Sequence, residues 1–402
     1  CMKALKEDAR LALEGLPWEY GDAAEMQRLS AKYAGADQGK VIRVFGANFI
    51  GRMSGKVVEA FVAKADLLAA SPAYSDQSGV DWKTAAASAA KVLNHIGGVD
   101  GMDPTGWTWY CNVDDIEKLS PTESPAEILW RGERAKSLSL EEDNFPPTLY
   151  GNGRINPTQN LVDAFPMLNG YPVSHLSGEY DENLPYANRD PRLEAYILYN
   201  GCKAGNTNKE IFTAADGTTN DALNKVVGRS TRTGYYLRKL LRQDISLDPN
   251  AKADQYHYTP RIRYTEIFLA YAEAANQAYG PQDKGGNGYS AYDVVKKLRH
   301  RAGIGRDNGD AYLESIKNDQ AKMAELIRNE RRIELCFEGF RFWDLRRWKS
   351  NLTETAKGMN ISGTRYTPME VDKRSFSEYM YYGPIPYSEV LKYDELKQNQ
   401  GW

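Results

Sequence analysis

The segment from Asp319 to Lys349 has the strongest helical pattern in the chain and an unusual arrangement of charge. Its apolar residues recur at helical spacing, while Glu330, Glu334 and Glu338 stand four residues apart, so a single helix would stack like charges on one stripe. Each such pair lowers helix stability by about 0.2–0.5 kcal/mol unless cations neutralise the charges. Arginine is the best partner because its planar guanidinium can donate two hydrogen bonds to one carboxylate. The arginines nearest in sequence are Arg331, Arg341, Arg346 and Arg347. We therefore predict a structural ion network in a helical scaffold rather than a catalytic carboxylate pair.

Amphipathic helices also occur in pairs near both ends of the chain. Apolar residues recur at helical spacing, and Pro or Gly separates the members of each pair. The predicted helices cover residues 3–16, 56–70, 82–95, 264–275 and 290–302, with Asp81 as the N-cap of the third. Small residues on the contact faces allow the close antiparallel approach of helical repeats. Since no fixed 34-residue repeat is visible, a tetratricopeptide-like scaffold and a generic helical bundle both stay open.

Residues 97–260 differ from the two helical regions because Pro and Gly are frequent and helical periodicity is poor. Short alternating stretches at 128–131 and 193–199 predict strands. An irregular region of this length often carries function. We predict a mainly α fold over 1–402 as one unit, with a helical scaffold at 1–96, a loop-rich ligand-binding region with short strands at 97–260, and a second helical scaffold at 261–402.

Composition excludes several classes of function. Lys and Arg number 51 against 54 Asp and Glu, so there is no excess of positive charge to neutralise phosphates, and nucleic-acid binding is not expected. The four histidines and four cysteines show no metal-ligand spacing, and we expect no metal, no cofactor and no catalytic residues. The cysteines are free thiols or include one disulfide, Cys111 to Cys202. No run of residues approaches the ~18 apolar positions that a membrane span needs.

Three segments, in the right order, resemble the signatures of the SusD/RagB family, the outer-membrane nutrient-binding lipoproteins of Bacteroidetes. Residues 328–348, RNERRIELCFEGFRFWDLRRW, resemble the C-terminal signature of that family. The tail at 383–402 resembles the family's ending, with Gln400 where the pattern usually has proline. The central run, with DAF, NG and RDPRL between residues 163 and 193, is similar as well.

The resemblance implies a mainly α fold with tetratricopeptide-type helix pairs and a packed loop-rich half. It also implies a surface-exposed lipoprotein of the cell outer membrane that captures an oligosaccharide and passes it to a SusC-like TonB-dependent transporter. A RagB-like protein that binds peptide is the nearest alternative. A glycoside hydrolase and an intracellular tetratricopeptide adaptor are more distant ones. The resemblance implies no catalytic residues.

The family pattern opens with a lipidated cysteine and a flexible leader before the stretch that ends in Leu-Pro. Here Leu16-Pro17 follows almost at once. We expect that an N-terminal part precedes this sequence in the native protein and that membrane contact is made only through a lipid anchor upstream. Cys1 as the lipid-acceptor cysteine is the alternative.

A glycan presents an apolar C–H face and a rim of hydroxyls, so its binder needs aromatic platforms and polar side chains. The best candidates are Trp107, Trp109 and Tyr110, because alternate residues of an extended segment point the same way and the two tryptophans would form one platform. The alternative is that these aromatics plug the junction between the helical arm and the loop-rich region.

Polar and secondary aromatic candidates complete the predicted site. Asp103, Asn112 and Asp114 are candidate acceptors at the rim, and Tyr180 and Tyr186 are second aromatic candidates. By contrast, Trp343 and Trp348 lie in the C-terminal signature, and we predict structural roles for both.

Overall fold

The computed structural model describes residues 1–33, 37–119 and 123–402 and confirms a mainly α fold. The helices near the amino end are α1 (Met2–Gly15), α2 (Ala23–Lys32), α3 (Gln38–Phe45), α4 (Gly55–Ala70), α5 (Ser75–Ser78) and α6 (Trp82–Asn94). The short helices of the middle region are α7 (Val113–Lys118), α8 (Ser139–Asn144), α9 (Gln159–Val162) and α10 (Pro191–Tyr196). The remaining helices are α11 (Tyr264–Tyr279), α12 (Ala291–Arg301), α13 (Ala311–Ile316), α14 (Gln320–Glu334), α15 (Phe340–Arg347) and α16 (Tyr387–Val390).

The strands form two-stranded antiparallel sheets in the described part of the chain. The strands are β1 (Ile128–Ser137), β2 (Ile197–Leu198), β3 (Lys203–Ala204), β4 (Lys209–Glu210), β5 (Tyr236–Leu237), β6 (Gln255–Arg263), β7 (Ala356–Ser362) and β8 (Arg365–Asp372). The pairs are β1 with β6, β2 with β5, β3 with β4 and β7 with β8. The two longest strands of the loop-rich region, β1 and β6, pair with each other, so segments more than a hundred residues apart in the sequence lie side by side.

The helical scaffold is built as the predicted pairs. α6 packs between α4 and α11, and α11 also contacts α12 and α14. Alanines fill the contact faces, because a side chain no larger than a methyl group lets the helix axes approach closely: Ala60, Ala63, Ala85, Ala86, Ala89, Ala90, Ala270, Ala272, Ala274 and Ala275 are all buried. The predicted N-cap is confirmed, since the Asp81 carboxylate accepts a hydrogen bond from the Thr84 amide at 2.8 Å.

The prediction of one helix from Asp319 to Lys349 is wrong, because the chain turns between α14 and α15. Phe337 and Gly339 both adopt positive φ, 65° and 86°, in the left-handed region that ends helices. Glu330 and Glu334 therefore share a stripe of α14, while Glu338 lies in the connecting turn.

The predicted strand at 128–131 is confirmed as the start of β1, but the strand at 193–199 is largely replaced by a helix. The Asp190 carboxylate caps α10 by accepting from the Arg192 amide at 2.9 Å, and Pro191 occupies its first turn. Both residues favour a helix start over an extended chain. Only Ile197 and Leu198 pair as a strand.

Two packed cores position the candidate site. One lies among α4, α6, α11, α12 and α14, and the second joins the loop-rich region to the C-terminal signature. The second core includes Trp109, Tyr110, Tyr196 and Tyr235. All four cysteines are free, which excludes the Cys111–Cys202 disulfide in this structure. Among the described residues, no helix combines the length and apolar character that crossing a bilayer requires.

Candidate functional site

Glu330 and Glu334 are fully buried, the side chain of Glu338 is 9% exposed, and each of the three contacts cations. Glu330 accepts from Arg192 at 2.9 Å and from Arg299 at 2.8 Å. Glu334 accepts from Arg192 and Arg301, each at 3.0 Å.

Glu338, in the turn, accepts from Lys239 and from Arg263 Nε, both at 2.7 Å. Arg263 also donates to Glu127 at 2.8 Å. We call this set the buried ion network: Asp190, Arg192, Lys239, Arg263, Arg299, Arg301, Asp310, Glu127, Glu330, Glu334 and Glu338. Its members come from segments distant in sequence, so it ties the loop-rich region to the helical scaffold.

The predicted partners of the glutamates need correction. Arg331 points away from them and pairs with Asp344 at 3.0 Å, in a separate cluster that includes Arg347 and Glu273. Arg341 forms no ion pair with any described residue. The sequence-neighbour arginines fail as partners because α14 and the turn direct them to another face.

The network keeps the carboxylates of Glu330, Glu334 and Glu338 ionised. Burial alone would raise the pKa of Glu334, but Arg301, Arg263 and Arg192 outweigh it and lower that pKa to about 2. The pKa values of Glu330 and Glu338 are likewise lowered by their guanidinium partners against the opposing effect of burial. Carboxylates held in this state are acceptors in a structural network and are poor proton donors at neutral pH.

The predicted aromatic platform is wrong in its geometry. Residues Gly106–Thr108 form a 3₁₀ turn rather than an extended segment, so Trp107 and Trp109 do not face the same way. Trp109 and Tyr110 are 4% and 5% exposed, and the Tyr110 hydroxyl donates to the Ala195 carbonyl at 2.9 Å. The three aromatics pack at the junction of helical arm and loop-rich region.

The turn at Gly106–Thr108 and its flanking residues, which we call the aromatic turn, contact the buried ion network. The Asp103 carbonyl accepts from Arg301 at 2.9 Å, and the Trp107 carbonyl accepts from the Tyr196 hydroxyl at 2.8 Å. A Cβ added at Gly106 would lie 2.3 Å from Glu127 Oε2. Only glycine leaves room for this close approach of backbone to carboxylate.

We expect Gly106→Ala to lower the free energy of unfolding by about 1–3 kcal/mol, because the methyl group must displace the Glu127 carboxylate from its arginines. Chemical denaturation followed by circular dichroism measures the change. Gly383→Ala is the matched control, since no atom lies within 4 Å of its added Cβ. Equal stability of the two variants would contradict the proposed crowding.

A cavity of about 550 Å³ opens beside the aromatic turn, and we call it the β6 cleft. Trp109, Tyr110, Tyr258 and Phe340 contribute its aromatic walls. The polar or charged lining residues are Ser137, Ser139, Asp143, His257, Thr259, Arg261, Arg263, Glu266 and Glu338. The cleft thus combines aromatic surface with donors and acceptors, and its volume lies within the range of small-molecule sites.

Three buried groups of the lining have unused hydrogen-bonding capacity. Trp109 Nε1, the Tyr258 hydroxyl and Glu266 Oε2 have no hydrogen-bond partner among the described residues. The other carboxylate oxygen of Glu266 pairs with Lys64 at 2.7 Å, and burial raises the pKa of this carboxyl. Buried polar groups normally have partners, so these three atoms, on residues that line one cleft, would form hydrogen bonds with water or a polar ligand once their side chains turn toward it.

The remaining predicted site residues lie elsewhere. Asp103 accepts from the Thr105 amide at 2.8 Å, and Asn112 is the N-cap residue of α7; neither lines the β6 cleft. The side chain of Asp114 falls outside the described part. The centre of the Tyr180 ring lies 5.6 Å from the Arg189 guanidinium carbon, in a different part of the loop-rich region.

Tyr186 is also committed elsewhere, since it stacks on Tyr199 at 4.2 Å and shares a hydrogen bond with Tyr235 at 3.1 Å. Of the two signature tryptophans, Trp348 is buried and donates to Glu273 at 2.6 Å, as a structural residue would. Trp343 is 63% exposed, so its predicted structural role is wrong.

Sequence reasoning missed the part of the cleft that β6 supplies. Tyr258, Thr259 and Arg261 belong to the run QYHYTPRIR, which mixes aromatic, polar and charged residues before α11. That mixture was the available signal. Phe340 could not have been found this way, because the turn before α15 brings it to the cleft.

The chain therefore has a paired-helix scaffold, a loop-rich half locked to it by buried ion pairs, and a concave cleft at their junction. Among the described residues, no group of three or more His, Cys, Asp or Glu is placed to hold a metal ion. These features define a helical scaffold protein with a ligand-sized cleft. The model of the SusD family matches residues 130–402, more than half of the chain, and the protein belongs to that family.

Individual relatives agree with this assignment. SusD-like protein P38 of Formosa agariphila is 33% identical over 85 residues, which cover 21% of this chain and 16% of that protein. SusD-like protein P2 of the same organism is 32% identical over 152 residues, covering 37% and 26%. The matches thus span no more than about a quarter of either relative's length.

Solved structures extend the similarity over the whole chain. A SusD-like protein from Bacteroides fragilis superimposes with a TM-score of 0.70 at 25% identity, covering 100% of this chain and 71% of that one. A SusD-like carbohydrate binding protein from the same species gives a TM-score of 0.62 at 21% identity, covering 97% and 78%, and supports the fold alone.

Proposed function

We propose that this protein captures an oligosaccharide in the β6 cleft, as a glycan-binding protein of the outer-membrane surface without catalytic activity. The observation that carries the proposal is the pairing of aromatic walls with unpartnered polar groups in one cleft. Membership of the SusD family supports it, as does the similar fold of a carbohydrate binding protein from Bacteroides fragilis. We further propose that the cargo passes to a SusC-like TonB-dependent transporter and that a lipid anchor holds the protein to the membrane.

The expected affinity is modest. Burying ~50 Å² of a sugar's C–H face at ~25 cal/mol/Å² contributes about 1 kcal/mol for each stacked ring. Hydrogen bonds to Tyr258 and Glu266 would add the directional part. Together they correspond to micromolar-to-millimolar dissociation constants, which suit a protein that releases its cargo to a partner.

Blocking the cleft tests the proposal better than removing its walls. Trp109 is buried, so Trp109→Ala would leave a cavity and confuse lost binding with lost stability. Ser139 is exposed and lines the cleft, and Ser139→Trp is expected to weaken oligosaccharide binding at least 10-fold while leaving the melting temperature unchanged. Ser375→Trp, on an exposed serine outside the cleft, is the matched control.

Isothermal titration with oligosaccharides chosen from a glycan array, run beside a peptide library, provides the measurement. Glycan binding lost in Ser139→Trp and kept in Ser375→Trp supports the cleft as the site. Binding of peptides alone would replace the glycan proposal with peptide capture. Turnover of polysaccharide by the purified protein would contradict the absence of catalysis.

A further inference from the structure

A second cavity, separate from the β6 cleft, lies between α14, α15 and the segment that follows α15. Its volume is about 390 Å³, enough for one substituted monosaccharide. It is lined by Glu325, Arg328, Asn329, Arg332, Arg341, Leu345, Trp348, Ser350, Asn351 and Glu354, and we call it the arginine pocket. It shares no lining residue with the β6 cleft.

Three guanidinium groups that form no ion pair in the described part of the chain line this pocket. Arg328, Arg332 and Arg341 form no ion pair with any described residue, although Arg328 lies 5.2 Å from the centre of the Trp348 ring. Arg331 and Arg347, from the same signature, each form an ion pair with Asp344. Of the four signature arginines without an ion pair to a described residue, three line this pocket, and the fourth, Arg346, lies outside it.

The charge balance of the pocket is positive. Against three arginines stand two carboxylates, Glu325 and Glu354, and Glu354 lies 3.9 Å from a further cation, Arg374. Burial lowers the pKa of Arg332, and burial together with the charge of Arg332 lowers that of Arg341 to about 10. The Glu354 carboxylate opposes this lowering of both pKa values, and an anion bound between the two arginines would relieve the repulsion that remains.

We propose that the arginine pocket binds a sulfate-type oxyanion carried on a sugar ring. Guanidinium groups recognise such oxyanions through paired N–H donors, and several of them can surround a tetrahedral group. Trp348 and Leu345 form an apolar part of the lining against which the sugar ring would pack. Ser350 and Asn351, also in the lining, would form hydrogen bonds with its hydroxyl groups. The proposal is independent of whether the β6 cleft binds a neutral glycan.

Titration calorimetry of the purified chain with glucose 6-sulfate, inorganic sulfate and unsubstituted glucose, at constant ionic strength, tests the proposal. We expect saturable binding of glucose 6-sulfate, tighter than that of inorganic sulfate, and none of glucose. Arg332→Gln and Arg341→Gln are each expected to weaken binding at least 10-fold, since a hydrogen bond to a charged group is lost. Arg365→Gln, on an exposed arginine of β8 outside the pocket, is the control.

Melting temperatures of the variants separate lost binding from lost folding, and Arg328→Gln replaces any variant that does not fold. Equal affinity for inorganic sulfate and glucose 6-sulfate would overturn the assignment to a sugar and leave a free-anion site. Absence of saturable binding, or binding that survives both substitutions, would overturn the proposal itself. None of these outcomes depends on the Ser139→Trp result, so the two sites are tested separately.

Discussion

Replacing Glu334 by Gln is expected to lower the free energy of unfolding by about 3–5 kcal/mol, since it leaves buried guanidinium groups without their counter-charge. Glu334 is fully buried and accepts from Arg192 and Arg301 at 3.0 Å each. Gln preserves the shape of the side chain, so the loss reports charge and hydrogen bonding rather than packing. Equilibrium unfolding in urea at pH 7, followed by circular dichroism, measures the effect.

Glu325→Gln is the matched control, because Glu325 lies on the same helix, α14, and is exposed. Substitutions at such surface positions usually change stability by no more than about 0.5 kcal/mol. If Glu334→Gln were as mild as Glu325→Gln, the buried ion network would not be what holds this region together.

Acid is expected to weaken the wild-type protein through the same carboxylate. The pKa of Glu334 is lowered to about 2 from an ordinary value of 4.5, so its stabilising contribution is complete above pH 4.5 and is lost as the pH falls toward 2. A shift of this size corresponds to roughly 3 kcal/mol, of which about 2 kcal/mol has gone by pH 3. The lowered pKa values of Glu330 and Glu338 act in the same direction.

The measurement compares urea unfolding of wild type and Glu334→Gln between pH 7 and pH 3. Because the variant lacks the titrating group, the stability difference between the two proteins should narrow by about 2 kcal/mol over that interval. A difference that stays constant would mean that this carboxylate titrates normally in the folded protein.

The helices were predictable because their signals are local. Asp81 and the alanine-rich faces that follow it determine a helix start and a packing surface within a few residues. The turn after Glu334 was missed because helical periodicity continues through it. Only the positive φ of Phe337 and Gly339 reveals the break.

Long-range pairing explains what could not be predicted about the site. The spacing of the glutamates correctly indicated that cations must answer them, but Arg192, Arg263 and Arg299 reach them only after α10, β6 and α12 have packed. The aromatic turn was predicted as extended because its local sequence does not show that Gly106 packs against Glu127, a residue outside the turn. The β6 cleft likewise depends on the pairing of β1 with β6.

The buried ion network has a consequence for how this protein can lose its structure. Through Arg263, its ion pairs connect Glu127 of the loop-rich region to Glu338 in the middle of the C-terminal signature. Neither region can detach without leaving buried charges unpaired. Thermal melting should consequently occur as one cooperative step across residues 127–338. Substitutions would then be tolerated most easily at exposed residues that line the β6 cleft, such as Ser139 and Arg261, which belong to none of these ion pairs.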